Sequence, residues 1–167
     1  MRADPSAATP PSERSPETAT LPVVPPTRTR ESVESAGRVG AVAYPYRVYE
    51  ASATVGRSFL PERELSYVAS VDRSRRLVLR ADAVPETETR TVEDVLVLPA
   101  DLSEDECDER VRSTVFEWTM RKFALGSPPE VSFGRVVDAY KLFWVAERPD
   151  GDVIVDSVRD EESPLDG

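Results

Sequence analysis

Only one stretch of this chain carries a complete local specification for a helix: Ser103 to Gly126, SEDECDERVRSTVFEWTMRKFALG. Ser103 can accept from the amide of Glu106 while the Glu106 carboxylate reaches back to the Ser103 amide, the reciprocal arrangement of a capping box. Leu102 and Cys107 are spaced to close over the first turn as a hydrophobic staple. Glu104, Asp105 and Glu106 sit at the positive end of the helix dipole, and Arg121 and Lys122 sit near the negative end. Gly126, followed by Pro128 and Pro129, supplies the stop. Around this helix Cys107, Val111, Val115 and Trp118 form one apolar stripe, and Phe116, Met120 and Phe123 form a second beside it. The first stripe is expected in the core. The second either widens that core or faces a partner.

The rest of the chain reads as strand, turn or tail. Met1 to about Arg38 is rich in Pro, Ser, Thr and charge, with too few large apolar side chains to offset the entropy of ordering. A disordered tail over 1–38 is therefore expected, dispensable for folding, with a protease-stable fragment starting near Ala41. Its one apolar spot, LPVVPP at Leu21–Pro26, reads as linker or as a short extended docking motif. A single domain is expected over 39–160, followed by a short acidic tail over 161–167.

Within that domain Val42–Val55 carries Tyr44, Tyr46, Val48 and Tyr49 in a strand-like run, with Pro45 marking an edge or a bulge. Two alternating strands flank the turn DRSRR, a further extended segment covers Val92–Leu98, and two more strands flank RPDG, where Asp150-Gly151 suits a hairpin. Hairpin-sized connections favour antiparallel neighbours. The expected fold class is accordingly α+β, a mostly antiparallel sheet with one long helix packed on one face.

The two halves also echo each other. AYPYRVYEA before the helix is similar to DAYKLFWVA after it, and YVASVDRSRR is similar to VIVDSVRDEE, so that Tyr46 to Tyr49 would correspond to Tyr140 to Phe143, and Val71-Asp72 to Val155-Asp156. The pattern YPYRVYEASATVGR, SVDRSRRLVLRADAV, AYKLFWVAE and VIVDS resembles a family of uncharacterised haloarchaeal proteins over roughly residues 41 to 158. The strand ending in Val-Asp is also similar, more distantly, to the small sheet-and-helix domains of the PepSY type. Neither resemblance implies a reaction or catalytic residues. Where the haloarchaeal pattern has Val-Asp-Gly at the first turn, this chain has Asp72, Arg73 and Ser74.

Charge narrows the function classes. Asp and Glu number 31 against 21 Lys and Arg, and the formal net charge is −10. Such a field opposes association with nucleic acid, and the run Arg73, Arg75, Arg76, Arg80 reads as a solvated strand and turn. Carboxylate excess with scarce lysine suits a salt-rich cytoplasm. Molar salt is expected to raise the melting temperature by screening carboxylate repulsion, and a flat or falling melting curve with salt would remove that inference.

With no histidine in the chain, imidazole bases, Ser-His-Asp or Cys-His constellations and His-ligated metals are excluded within it. The seven glycines never reach phosphate-loop spacing. Cys107, the single cysteine, allows no disulfide within the chain. No cofactor is expected. The acidic cluster Glu104, Asp105, Glu106, Asp108, Glu109 reads as a solvated helix start. Nothing in the chain resembles a membrane helix or a secretory signal.

The expected function is a non-catalytic cytoplasmic binding or assembly module acting on a protein partner or a second copy of itself. Its candidate surface comprises Tyr44, Tyr46, Tyr49, Phe116, Met120, Phe123 and Trp144, with Phe143 beside them. The alternative is a histidine-independent hydrolase, or an accessory subunit of an enzyme, using Asp72, Asp82 or Asp156 with a raised pKa.

Overall fold

A computed structural model describes residues 17–57, 59–123 and 127–165. Its spine is a pair of long strands, β2 (Val39–Arg57) and β6 (Glu130–Ala146), which run antiparallel from Val39↔Ala146 to Thr54↔Glu130 with one irregularity between Tyr49 and Ala51. The other edge of β2 is divided between two partners. Ala41–Ala43 pair in parallel with β5 (Glu88–Val97), and from Tyr46 onward β2 pairs antiparallel with β3 (Leu60–Asp72). Pro45 sits at the changeover. Its carbonyl accepts from the Arg73 amide at 2.9 Å, and the donor it lacks faces the gap between β5 and β3, where no strand requires one.

One end of the spine is closed by a strand that composition concealed. β1 (Glu17–Val23) pairs antiparallel with β5 and touches β6 in parallel at Val23↔Tyr140, so β2, β5, β1 and β6 form a ring. Val23, Ala41, Ala43, Val92, Val95, Leu142, Trp144 and Ala146 are buried inside it, the alanines leaving room for the Trp144 indole. Residues after β1 wrap the same end. The Trp144 Nε1–H donates to the Arg28 carbonyl at 2.8 Å, and the Thr27 and Arg28 amides both donate to the Ser157 carbonyl.

At the other end the chain adds β4 (Leu77–Arg80) to β3, and α1 (Glu104–Lys122) lies over β2 and β3. Tyr49, Ala51, Ala53, Tyr67, Ala69 and Val71 meet Leu102, Cys107, Val111 and Val115 in a second core. Both cores use the same alternate positions of β2, first inside the ring and then under the helix. The opposite face, carrying Tyr44, Tyr46 and Val48, looks away from both. β7 (Val153–Asp156) and β8 (Glu162–Pro164) extend the sheet beyond β6.

The helix start is as expected. Glu106 N–H donates to Ser103 Oγ at 3.1 Å, Ser103 N–H donates to Glu106 Oε1 at 3.3 Å, and Leu102 and Cys107 are fully buried. α1 ends at Lys122, and the expected stop at Gly126 lies outside the described residues.

Three expectations are corrected. The expected α+β class, a mostly antiparallel sheet with one long helix packed on one face, gives way to an eight-stranded mixed sheet in which, among the described residues, one α-helix covers one end and strand-on-strand packing fills the other. Hairpin lengths reveal only neighbours in sequence, and the two parallel pairings join strands far apart in it. The expected tail over 1–38 ends at least by Glu17, because Val23 gains full burial from residues more than sixty positions away; residues 1–16 lie outside the described part. The acidic end is likewise recruited, since β8 pairs with β7 and Glu162 accepts two hydrogen bonds from Arg148 at 2.9 and 2.8 Å.

Candidate functional site: an aromatic groove on the open sheet face

On the face turned away from α1, neighbouring positions of β2 and β6 bring Tyr44, Tyr46, Lys141 and Phe143 together. The Tyr44 and Phe143 rings meet edge-on at 4.8 Å between centroids, a favoured aromatic geometry. Arg75 lies 4.7 Å from the Tyr44 ring centroid, and Lys141 Nζ lies 5.3 Å from that of Phe143. Two cations thus flank one aromatic pair.

Each cation is held by a buried aspartate at the end of a strand. In the β3–β4 turn, Asp72 Oδ1 accepts from the amides of Ser74 and Arg75 at 3.1 and 3.0 Å and from the Ser74 hydroxyl at 3.0 Å, and Oδ2 accepts from Arg75 Nε. In the β7–β8 turn, Asp156 Oδ1 accepts from the amides of Val158 and Arg159 at 2.9 and 3.0 Å, and Oδ2 lies 2.7 Å from Lys141 Nζ. Four residues after each aspartate the backbone turns left-handed, at Arg76 (φ 59°) and Asp160 (φ 57°). The two turns are copies of one local design.

Their settings match as well. Tyr46 lies opposite Asp72 across β2–β3, and Phe143 lies opposite Asp156 across β6–β7. Tyr46 follows Tyr44 by two positions, Phe143 follows Lys141 by two, and Tyr44 faces Lys141 across the antiparallel β2–β6 pair. The halves are therefore related by an approximate two-fold axis through Tyr44 and Lys141. The Val71-Asp72 and Val155-Asp156 correspondence read from sequence stands in this geometry, while the aromatic one shifts by three positions: Tyr46 corresponds to Phe143 and not to Tyr140.

Burial alone would raise the pKa of both aspartates, but the amide donors with Arg75 at one site, and Lys141 with the amide donors at the other, outweigh it and hold both below the usual carboxylate range. Both are ionised acceptors. The raised-pKa carboxyl that the hydrolase alternative requires is not supplied by Asp72 or Asp156. The Tyr46 hydroxyl moves the other way, pushed up to about 12 by burial and by the Asp72 charge, and it accepts from Arg75 at 3.2 Å.

Beside the aromatic pair opens a groove of about 360 Å³. Tyr46, Val48 and Phe143 line it together with Ala83 and Pro85 from the β4–β5 loop, and its charged members include Arg75, Lys141, Asp156 and Arg159. Arg80 also borders it but turns its guanidinium over Trp118 and Tyr67, at 4.7 and 5.0 Å.

The other expected surface residues do not join this face. Tyr49 is 0% exposed in the helix core, where its hydroxyl donates to Asp108, and Trp144 is 4% exposed inside the ring. Phe116, 38% exposed, and Met120 lie on α1 and Phe123 caps its C-terminus, on the other side of the sheet, with Arg63 5.4 Å from the Phe123 ring. The seven residues thus divide into one open-face pair, two core residues and one helix flank. Sequence reasoning missed Arg75, Lys141 and Arg159 as members. Lys141, one of only two lysines and set within an aromatic strand, was the signal available.

The acidic helix start is already engaged: Glu106 closes the cap, Glu104 lies 3.6 Å from Arg47, and Asp108 accepts from Tyr49. Among the described residues no three carboxylates or thiols converge to hold a metal ion, and no helix is long and apolar enough to cross a membrane. Comparison with family models, with curated proteins and with solved structures returned no match.

Proposed function

We propose that this chain is a non-catalytic cytoplasmic binding module whose ligand surface is the open sheet face around Tyr44, Tyr46 and Phe143. The observation that carries the reading is the Tyr44–Phe143 pair flanked by Arg75 and Lys141, each cation oriented by a buried aspartate. Aromatic rings with preorganised cations offer contact area at little ordering cost. The face lies opposite both cores, so binding there requires no unfolding of either.

The test is affinity capture from cells at native salt, with wild type compared against Tyr44→Ser/Phe143→Ser. Both residues point away from the cores, so the variant is expected to keep its fold by circular dichroism while losing the specifically retained species. Identical captured sets from the two proteins would overturn the reading.

A second reading, assembly with another copy, has its own observation. β4 is the last strand on its side of the sheet, and Leu77 and Leu79 on it are 48% and 56% exposed. Such an edge can pair with a further strand. Sedimentation that shows a monomer across the working concentration range would remove this second reading.

A further inference from the structure

We propose that the groove beside Tyr46 and Phe143 is a site for a small organic anion: a flat apolar body carrying one carboxylate or a comparable acidic group. The inference rests on the binding reading above and names its ligand class. A volume of about 360 Å³ is large enough for a ligand of one or two rings, at the small end of the roughly 300–1,000 Å³ typical of ligand pockets. Its apolar lining includes Tyr46, Val48, Leu79, Phe143 and Pro85.

The polar members are unequal in what they can still offer. Arg75 is engaged by Asp72, and Lys141 by Asp156. Arg159 lines the groove, is exposed, and forms no ion pair among the described residues. Arg80 also borders the groove, but its guanidinium lies over Trp118 and Tyr67. Beside two neutralised pairs, Arg159 is therefore the lining guanidinium with neither an ion pair nor a ring contact among the described residues, on a chain whose net charge is −10. Glu50 and Asp82 line the neighbouring depression beyond Arg80 and not this one. An anion is repelled by most of such a surface and attracted here, where guanidinium geometry suits a bidentate carboxylate. A neutral molecule of the same shape gains the apolar contacts but not that pair.

The experiment is an amide-shift NMR titration of the full chain with 2-naphthoate and, separately, with its neutral analogue 2-naphthamide, at the salt concentration where the protein is folded. Naphthoate is expected to move resonances of Tyr46, Phe143, Val158 and Arg159 and to bind at least about fivefold more tightly than naphthamide, the effect of one charge-assisted contact. Arg159→Gln, an exposed residue whose backbone amide still reaches Asp156, is expected to bring the two probes within about twofold of each other. If both probes bind the groove equally in the wild type, or if Arg159→Gln leaves their difference intact, the anion assignment is overturned and the binding reading survives. If neither moves a groove resonance up to millimolar concentration, the groove is not a ligand site and both readings fail at this location.

Discussion

Cutting the chain back to Val39 is expected to abolish cooperative folding of the ring end of the molecule. β1 is the strand that joins β5 to β6, and without it the ring opens along both edges. Val23 is fully buried against a core that includes Val92, Val95 and Leu142. The segment after β1 removes more than one strand's worth of contacts, because Thr27 and Arg28 tie to Ser157 and the Arg28 carbonyl takes the Trp144 N–H. Loss of that carbonyl leaves a buried donor unpaired, itself worth about 1–3 kcal/mol. Val23→Ala alone should cost about 1.5–3 kcal/mol. The measurement is thermal or denaturant unfolding with NMR dispersion as the second readout. A 39–167 chain that keeps the wild-type midpoint and a dispersed spectrum would refute the role assigned to β1. This expectation reverses the one drawn from composition, under which residues up to 38 are dispensable.

Replacing both turn aspartates is expected to have the second largest effect, with a distinctive pH dependence. Asp72 and Asp156 each have a folded-state pKa below the unfolded value of about 3.9. Their stabilisation is therefore fully present above the unfolded pKa and is lost as pH falls through the lower folded values. At neutral pH, Asp72→Ala or Asp156→Ala leaves two turn amides without their acceptor and should cost about 1–3 kcal/mol each. Arg75 is half exposed and can return to water, which keeps the loss below that of a fully buried pair. The Asn variants can still accept from the amides through the side-chain carbonyl, so each should lose less, and the double Asn variant should show a shallower fall in melting temperature below about pH 4 than the wild type. The rest of the acidic surface acts in the opposite sense there, since protonation relieves its mutual repulsion. An unchanged acid slope in the double Asn variant would show that these two carboxyls are not what the folded state loses at low pH.

The sequence by itself determined those features whose causes lie within one turn of chain. Ser103 and Glu106 close the helix start between themselves, Leu102 and Cys107 staple it, and Asp72 builds its turn from amides two and three residues ahead. Strand alternation places Tyr46 and Tyr49 on opposite faces of β2, although the sequence reading grouped both with Tyr44 on one surface. What alternation cannot say is which face is covered, because cover comes from elsewhere in the fold. Tyr46 and Tyr49 read alike in sequence, yet α1 buries Tyr49 and leaves Tyr46 beside the groove. Trp144 is core because β1 and β5 close a ring around it, and Phe143, one residue earlier, is on the open face for the same reason. β1 was illegible because few apolar residues in a proline-rich stretch cannot meet the entropy of ordering on their own; Val23 does so only by entering a cavity lined by residues from β2, β5, β6 and β7. The parallel contacts of β1 and β5 have no local signal at all, since nothing in a strand's own residues records which distant strand will lie alongside it. The meeting of Arg75, Lys141 and Arg159 along one groove was decided in the same way, by the antiparallel register of β2 and β6 carrying two similar turns to the same face.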